Sequence, residues 1–436
     1  MPYPPSRYTV AVVTESASLR LNAARCRLRG LAATFGKPGT GRTIASTAGF
    51  NFAIVGTAGL GGVILARTVG PTIRGEYAAI TAWLDVAMVI GQCGQPAALC
   101  YYVASDPLRA RRYVATSRAI LLAVGLLVLA AGLLLTPTLA RGQPELAEGY
   151  RIALAAFAAM FAGCSYVSAL QARDLYLWNL VRASQPTLGL LAFGALWSMR
   201  LLTLNSALTV IVVTLLVQTC LAYHCCRCRG LAPGSSELVM LRPLAAYGVA
   251  QLATLAPATL NSQLGQIVLS QTVPLADLGR YAVALSLTLL PMPLVSAIGN
   301  VAFPRLAARS ARGEAPRRRQ VLAIVGSAGI ATGLLVPLGA VAYWMIPLIF
   351  GQPYREAVPL LWLLIPGAVF SACGQVAADL LRGSSKLAAV ALAQGSAAVV
   401  LVALTIALLP FAGVKGCAIS YTVSYGVALI MLLRSL

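Results

Sequence analysis

Long apolar stretches separated by short polar segments run through the whole chain. An α-helix that rises about 1.5 Å per residue needs about 20 such residues to cross a hydrocarbon core of about 30 Å. The stretches lack the every-second-residue alternation that the strands of a membrane barrel require. We therefore predict an all-α integral membrane protein with about twelve transmembrane helices. These helices are predicted over residues 43–67, 77–104, 113–136, 148–171, 175–198, 202–223, 243–270, 279–303, 320–349, 357–381, 386–410 and 414–435.

Two short motifs occur twice along the chain, in the same order. TVGPTIRGEYA at 68–78 resembles TVPLADLGRYA at 272–282, and GQP occurs at 142–144 and again at 351–353. In each half, the first motif joins the first two predicted helices and the second motif joins the third and fourth. This order predicts two six-helix lobes related by an internal parallel repeat, an arrangement typical of transporters that bind substrate between their lobes.

The repeat divides the chain into four predicted segments. Residues 1–42 are Arg-rich and lack the apolar core of a signal peptide, so we predict a disordered basic tail. Residues 43–223 form the predicted N-terminal lobe, and residues 243–436 form the predicted C-terminal lobe. Residues 224–242 are the predicted linker between the lobes.

Composition and charge agree with a membrane location and suggest an orientation. The chain is 59% hydrophobic and 10% charged, whereas soluble domains carry about 25% charged residues. Most of the 33 Lys and Arg residues lie in the tail and in the connections on the same side, so the positive-inside rule places both termini in the cytoplasm. This distribution accounts for the net charge of +21 without nucleic acid as a partner. The abundance of Ala, Gly and Arg suggests a bacterial cytoplasmic membrane.

Three segments carry a resemblance to a known family. ILARTVGPTIRGEYA, DLGRYAVALSL and IPLIFGQPYREAVPLLWLL resemble the polysaccharide-biosynthesis flippases, the Wzx-type branch of the multidrug/oligosaccharidyl-lipid/polysaccharide exporter superfamily. The resemblance covers about residues 43–435. It implies a V-shaped bundle of two lobes that moves polyprenyl-diphosphate-linked oligosaccharide to the outer leaflet by alternating access.

The resemblance also implies which partners the chain has. The lipid-linked glycan and membrane lipid are expected, and a polysaccharide polymerase or glycosyltransferases of the same pathway are candidate protein partners. We expect neither a cofactor nor catalysis.

Polar side chains inside the predicted helices are candidates for binding such a substrate. Each unsatisfied polar group in hydrocarbon costs several kcal/mol, so a flippase needs a groove with amides, hydroxyls and Arg for phosphate oxygens. Arg182 is the preferred diphosphate contact because it lies roughly 10 Å inside its helix, whereas Arg118 can reach the membrane surface. The uncharged candidates are equally suited to joining helices. The candidate substrate-binding residues are Arg182, Arg118, Asn179, Gln185, Gln92, Gln95, Asn261 and Gln375.

Two buried acidic residues are candidates for ion coupling, Asp85 and Asp379. Arg382 follows Asp379 by one helical turn, so a local ion pair is the simpler interpretation there. Asp85 has no such neighbour. It is either a proton or cation site, or the buried partner of Arg182.

A cluster of Cys and His residues has the close spacing of zinc ligands but lacks a second ligand pair. We therefore expect reduced thiols and no metal site there. The cluster comprises Cys220, His224, Cys225, Cys226 and Cys228.

Two other functions remain as alternatives. A cation- or proton-coupled drug antiporter of the same superfamily would favour buried acids over buried Arg. A membrane enzyme of polysaccharide assembly would need a large outer loop with acids or His, whereas the chain's single His lies in a predicted inner segment.

Overall fold

The computed structural model describes residues 40–296, 317–383 and 386–436, and those residues form helices and short connections without strands. In chain order the helices are α1 (Thr40–Gly91), α2 (Gln95–Ser105), α3 (Ala110–Leu139), α4 (Pro144–Arg173), α5 (Leu175–Ser198), α6 (Leu204–Cys228), α7 (Leu238–Thr272), α8 (Leu275–Thr288), α9 (Arg317–Phe350), α10 (Ala357–Gly383) and α11 (Leu387–Ser435). The predicted tail lies outside the described residues except for its final positions.

The predicted all-helical membrane fold is confirmed, and each of the twelve predicted stretches is helical over most of its described length. Seven described helices are long and apolar enough to cross a membrane, and α7 becomes an eighth when its two bent segments are taken together. Two of the seven, in α1 and α11, span 47 and 48 residues, about twice the length that one crossing needs. Each is kinked, at Gly70 and Gly413, so each contains two crossings.

The second predicted stretch, 77–104, is broken where we expected one continuous helix. α1 ends at Gly91 and α2 begins at Gln95, with Cys93 and Gly94 between them at φ angles of 47° and 65°. These left-handed conformations interrupt the helical hydrogen bonds. Gln92 therefore lies in the turn and not within the continuous helix predicted over 77–104.

The GQP motif has the same local structure in both halves of the chain. Gly142 and Gly351 both have a positive φ, 73° and 106°, which glycine adopts without a steric cost. The proline that follows then opens a helix, α4 after the first copy and the single 3-10 turn Gln352–Tyr354 after the second. Both copies therefore lie between two crossings and contain a glycine with a positive φ.

The other repeated motif forms the contact between the lobes. Gly75, in the second arm of α1 (residues 71–91), packs so closely on α8 that an added Cβ would overlap the carbonyl oxygen of Leu275. In the same way, a Cβ on Gly279 would overlap the carbonyl oxygen of Pro71. Gly75 and Gly279 are equivalent positions of the repeat, and so are Pro71 and Leu275. The two copies therefore meet in a symmetric, backbone-to-backbone contact.

Hydrogen bonds between the lobes surround this glycine contact. The Tyr354 hydroxyl donates to the Ala66 carbonyl oxygen at 3.1 Å, and the Arg141 guanidinium donates to that of Val273 at 3.2 Å. Tyr281, 1% exposed, belongs to a hydrophobic cluster drawn from both lobes. We call this end of the molecule the closed end.

Helix α7 packs on both lobes. Its first segment, Leu238–Ala253, is bent by 45° from the rest of the helix. Gln95 of α2 donates to the Leu244 carbonyl oxygen, and Arg112 of α3 forms a 2.7 Å ion pair with Glu237, next to the start of α7. The segment after the bend packs against α11 in the other lobe. The segment after the bend also contacts the N-terminal lobe, because Gln263 donates to Asp85.

Replacing Gly75 with Ala is expected to hold the closed end open, because the added Cβ would overlap the Leu275 carbonyl oxygen. Spin labels at Arg200 and Lys415, which are exposed in connections of the two lobes at this end, should report a longer distance. Gly333→Ala is the matched control, since its new Cβ meets no atom within 4 Å. An unchanged label distance in Gly75→Ala would contradict the prediction.

Candidate functional site

A cavity of about 450 Å³ lies inside the N-terminal lobe, between α1, α5 and α6. Its described lining residues include two arginines and no carboxylate. We call it the arginine cavity. Its polar lining residues are Thr57, Arg74, Tyr77, Arg182, Gln185, Thr214 and Gln218.

Arg182 reaches this cavity from the second turn of α5. Asp174 caps the helix, since its carboxylate accepts hydrogen bonds from the backbone N–H groups of Tyr176 and Leu177, both at 3.1 Å. The Arg182 guanidinium lies 4.3 Å from the ring centre of Trp178 and donates to the Asn51 side-chain oxygen at 3.4 Å. These contacts orient the guanidinium and leave its charge without a described acidic partner.

Arg74 lines the same cavity from the second arm of α1. Its Nε atom is buried and has no hydrogen-bond partner among the described residues. Its guanidinium lies 5.4 Å from the ring centre of Tyr77, which is also a lining residue. The helices predicted over 43–67 and 77–104 leave Arg74 in the connection between them. The sequence does mark Arg74 as unusual, because it lies inside the repeated motif at the position where the second copy has Leu278.

The two arginines give this cavity the chemistry of an anion site. Guanidinium groups bind phosphate oxygens with paired, charge-assisted hydrogen bonds. An unpaired buried donor such as Arg74 Nε gains most from a ligand that accepts a hydrogen bond there. The cavity is therefore suited to a ligand with an anionic group.

A second cavity, of about 290 Å³, lies inside the C-terminal lobe. Its described lining contains four glutamines, Gln263, Gln266, Gln375 and Gln394, and no charged residue. Tyr421 and other aromatic side chains form part of its wall. We call it the glutamine cavity. Sequence reasoning identified Gln375 but missed the other three, although Gln263 and Gln266 are three positions apart on α7, the spacing of neighbours on a helix face.

Asp85 lies where the two lobes meet near the glutamine cavity. Its carboxylate accepts a hydrogen bond from the Gln263 side-chain amide at 2.8 Å. The ion pairs of the described residues include neither Asp85 nor Arg182, so Asp85 is not the ion-pair partner of that arginine. Asp85 therefore faces the C-terminal lobe, away from the arginine cavity.

Asp379 forms the ion pair with Arg382 that its spacing suggests, at 2.8 Å. The Gln375 side-chain amide donates to the same carboxylate at 3.3 Å. Because Gln375 lines the glutamine cavity, the Asp379 carboxylate lies one hydrogen bond away from it.

The other predicted site residues lie outside the lining of both cavities. Asn179 is 1% exposed and donates to the Thr47 hydroxyl at 2.9 Å. Arg118 donates to the Tyr166 hydroxyl at 3.1 Å.

Three of these predicted residues are amides. Gln95 and Gln92 contact neighbouring side chains, and Asn261 is buried outside the cavities. Gln95 accepts a hydrogen bond from Ser117 at 3.0 Å, and Gln92 contacts the Met88 sulfur at 3.9 Å. Asn261 is fully buried, and its amide atoms have no partner among the described residues.

The cysteine and histidine cluster lies at the end of α6. Cys228 Sγ and His224 Nε2 are 3.7 Å apart, while Cys226 is buried against the Tyr166 carbonyl oxygen. Within the described ranges, no group of three or more His, Cys, Asp or Glu side chains is arranged to hold a metal ion.

A family model described as polysaccharide biosynthesis protein matches residues 41–310. No curated protein matches the sequence.

Several solved structures are similar to this one. A multidrug resistance MATE family transporter of the MOP superfamily, inward-facing, has a TM-score of 0.73 at 14% identity, over 88% of this chain and 93% of that one. Lipid II flippase MurJ in an inward closed conformation has a TM-score of 0.72 at 12% identity, over 89% and 86% of the chains. An outward-facing MATE transporter has a TM-score of 0.64 at 16% identity, over 93% and 96%. These likenesses establish the two-lobe transporter fold.

Inorganic pyrophosphate is expected to bind in the arginine cavity and to raise the unfolding temperature of the purified protein. At ~10 times its Kd, a ligand of the folded state stabilises it by about 1.4 kcal/mol. Arg74→Gln and Arg182→Gln should each abolish most of this shift. Arg118→Gln removes the same charge outside the cavity and should keep it. Equal shifts in all three variants would contradict an anion site in this cavity.

Proposed function

The chain belongs to the polysaccharide biosynthesis protein family, and we propose that it is a flippase for polyprenyl-diphosphate-linked oligosaccharide. The observation that carries the proposal is the arginine cavity, which holds two guanidinium groups and no carboxylate among its described lining residues. A diphosphate carries about two negative charges, and a guanidinium group in this cavity can bind its oxygens. The fold shared with a lipid II flippase supports the same class of activity.

The physical task of a flippase explains why these groups lie inside the membrane. Each polar group of a glycan that enters hydrocarbon without a partner costs several kcal/mol, and a charged diphosphate costs far more. Guanidinium and amide side chains replace the lost water while the polyprenyl tail stays in the bilayer. A multidrug resistance transporter shares the fold. If this chain exported a cation instead, the two arginines of the cavity would repel that substrate.

The proposed orientation places both termini in the cytoplasm of a bacterium, with the chain in its cytoplasmic membrane. By the positive-inside rule, the connections near Gly75 and Gly279 then face the exterior. The closed end is thus the outer end, and the structure corresponds to an inward-facing state. Such a state receives lipid-linked glycan from the glycosyltransferases that assemble it and, after reorientation, presents it to an outer polymerase.

The membrane potential is sufficient to favour export of a diphosphate. Moving about two negative charges out of an interior-negative cell gains about 4.6 kcal/mol per 100 mV. An additional coupling to protons would require a titratable group between the lobes, and Asp85 is in that position. The membrane potential and a proton gradient are therefore two candidate driving forces that can be tested separately.

Arg182→Gln is expected to slow flipping by about tenfold or more, because a charge-assisted hydrogen bond contributes about 1.5–3 kcal/mol. Flipping is measured in spheroplasts that lack the native protein, with an impermeant label for glycan that reaches the outer leaflet. Arg118→Gln should restore flipping to the wild-type rate. If lipid-linked glycan reaches the outer leaflet normally without this protein, the proposed function is wrong for that glycan.

Asp85→Asn is expected to remove the pH dependence of flipping and to leave flipping driven by the membrane potential in place. The variant retains a side-chain oxygen that accepts from Gln263 but cannot titrate. The measurement is the flipping rate in proteoliposomes with the pH gradient and the potential imposed separately. A pH profile identical to that of the wild type would exclude proton coupling through Asp85.

A further inference from the structure

The glutamine cavity contains an amide with no described use in the fold. Gln394 of α11 is 8% exposed, lines the cavity and has no hydrogen-bond partner among the described residues. An amide that lines a cavity and has no partner in the fold can form hydrogen bonds with a ligand that enters the cavity. The cavity therefore has a polar group directed at an occupant.

Two of the remaining glutamines donate to neighbouring carboxylates, and the third donates to one of those two. Gln263 donates to Asp85 at 2.8 Å and accepts from the side-chain amide of Gln266 at 3.1 Å. Gln375 donates to Asp379 at 3.3 Å. Because these bonds use amide N–H groups, the side-chain oxygens of Gln266 and Gln375 remain as acceptors without a described donor.

These acceptors favour one class of ligand. Sugar hydroxyl and acetamido groups carry O–H and N–H donors, which amide oxygens accept. A sugar carboxylate carries no donor and would approach the Asp85 and Asp379 carboxylates, each one hydrogen bond from the cavity lining. Like charges repel most strongly where water is scarce, so an acidic sugar is disfavoured. Arg382 neutralises only one of the two carboxylates.

The separation of the two cavities assigns them to different parts of one substrate. Arg74 and Asp85 lie on the same arm of α1, and eleven residues of helix span about 16 Å. A diphosphate at Arg74 cannot also occupy the glutamine cavity. The volume of about 290 Å³ lies near the lower limit for small-molecule pockets and suits a short part of a glycan.

We propose that the glutamine cavity binds uncharged sugar units of the lipid-linked glycan and selects them against uronic acids. This inference rests on the proposed flippase function, because the sugar reaches the cavity attached to the diphosphate in the arginine cavity. Gln394 and Gln375 act as the specificity-determining residues, on two different helices. The tyrosine pair Tyr421 and Tyr425, with ring centres 4.6 Å apart, provides an apolar wall.

The test uses the full chain in lipid nanodiscs and two ligands that differ in one sugar. One is polyprenyl diphosphate with a neutral trisaccharide, and the other has a hexuronic acid in place of the second sugar. The wild type should bind the neutral ligand at least about tenfold more tightly. Gln394→Leu and Gln375→Leu should each weaken neutral binding by about tenfold, as expected for a lost buried hydrogen bond, and leave acidic binding unchanged.

A variant that binds a ligand more tightly than the wild type shows that the substitution changed selectivity and did not damage the fold. Gln394→Lys should raise the affinity for the uronic acid ligand by about tenfold, because an ammonium group pairs with its carboxylate. Gln92→Leu is the control, since Gln92 lines neither cavity and its side-chain amide lies 3.9 Å from the Met88 sulfur.

The outcomes distinguish this inference from the proposed function. Equal affinity of the wild type for both ligands, with flipping intact, would overturn the sugar selectivity and leave the flippase function standing. If Gln394→Leu and Gln375→Leu both bind the neutral ligand as tightly as the wild type, the sugar selectivity is likewise overturned and the flippase function stands. If the wild type binds neither lipid-linked ligand, both the inference and the proposed function are overturned.

Discussion

The backbone contact at Gly75 and Gly279 determines how the two lobes are arranged. Each glycine packs on the carbonyl oxygen of the other copy of the motif, so the lobes approach more closely here than any side chain would allow. Close packing with small residues is how helices associate in lipid, where the hydrophobic effect between helices is weak. The hydrogen bonds around this contact join the same end, which leaves the lobes free to diverge toward the other end. Each lobe contains one of the two cavities.

The two cavities differ in charge although the lobes that contain them are repeats. The arginine cavity has two cationic side chains without a described acid, whereas the glutamine cavity has amides tethered to two carboxylates. Burying charged and amide groups in this way costs free energy unless a bound ligand forms hydrogen bonds or ion pairs with them. A substrate with an anionic group at one end and hydroxyl groups at the other would satisfy both cavities, whereas a small cation would be repelled by the arginine cavity.

The sequence predicted the parts of this architecture that depend on local pattern. Apolar length predicted the crossings, and the repeated motifs predicted two equivalent lobes. Arg182, Gln185 and Gln375 were identified because a polar group deep within an apolar helix is costly and therefore informative. The helix break before Gln95 was missed, because the left-handed conformation of Cys93 has no pattern in hydropathy. Gln394 was missed because its isolation depends on the absence of neighbours on other helices, which only the packing determines.

The symmetry of the glycine contact is relevant to how such a chain came to have one cationic cavity and one uncharged cavity. A contact in which position 75 meets position 275 while 279 meets 71 is the isologous geometry of a two-fold homodimer. In a homodimer every substitution appears twice, so an arginine that improved one half would also charge the other. Fusion into one chain removes that constraint, and the motif now holds Arg74 in its first copy and Leu278 in its second. The covalent link between the halves is what allows a symmetric scaffold to recognise a substrate whose two ends are unlike.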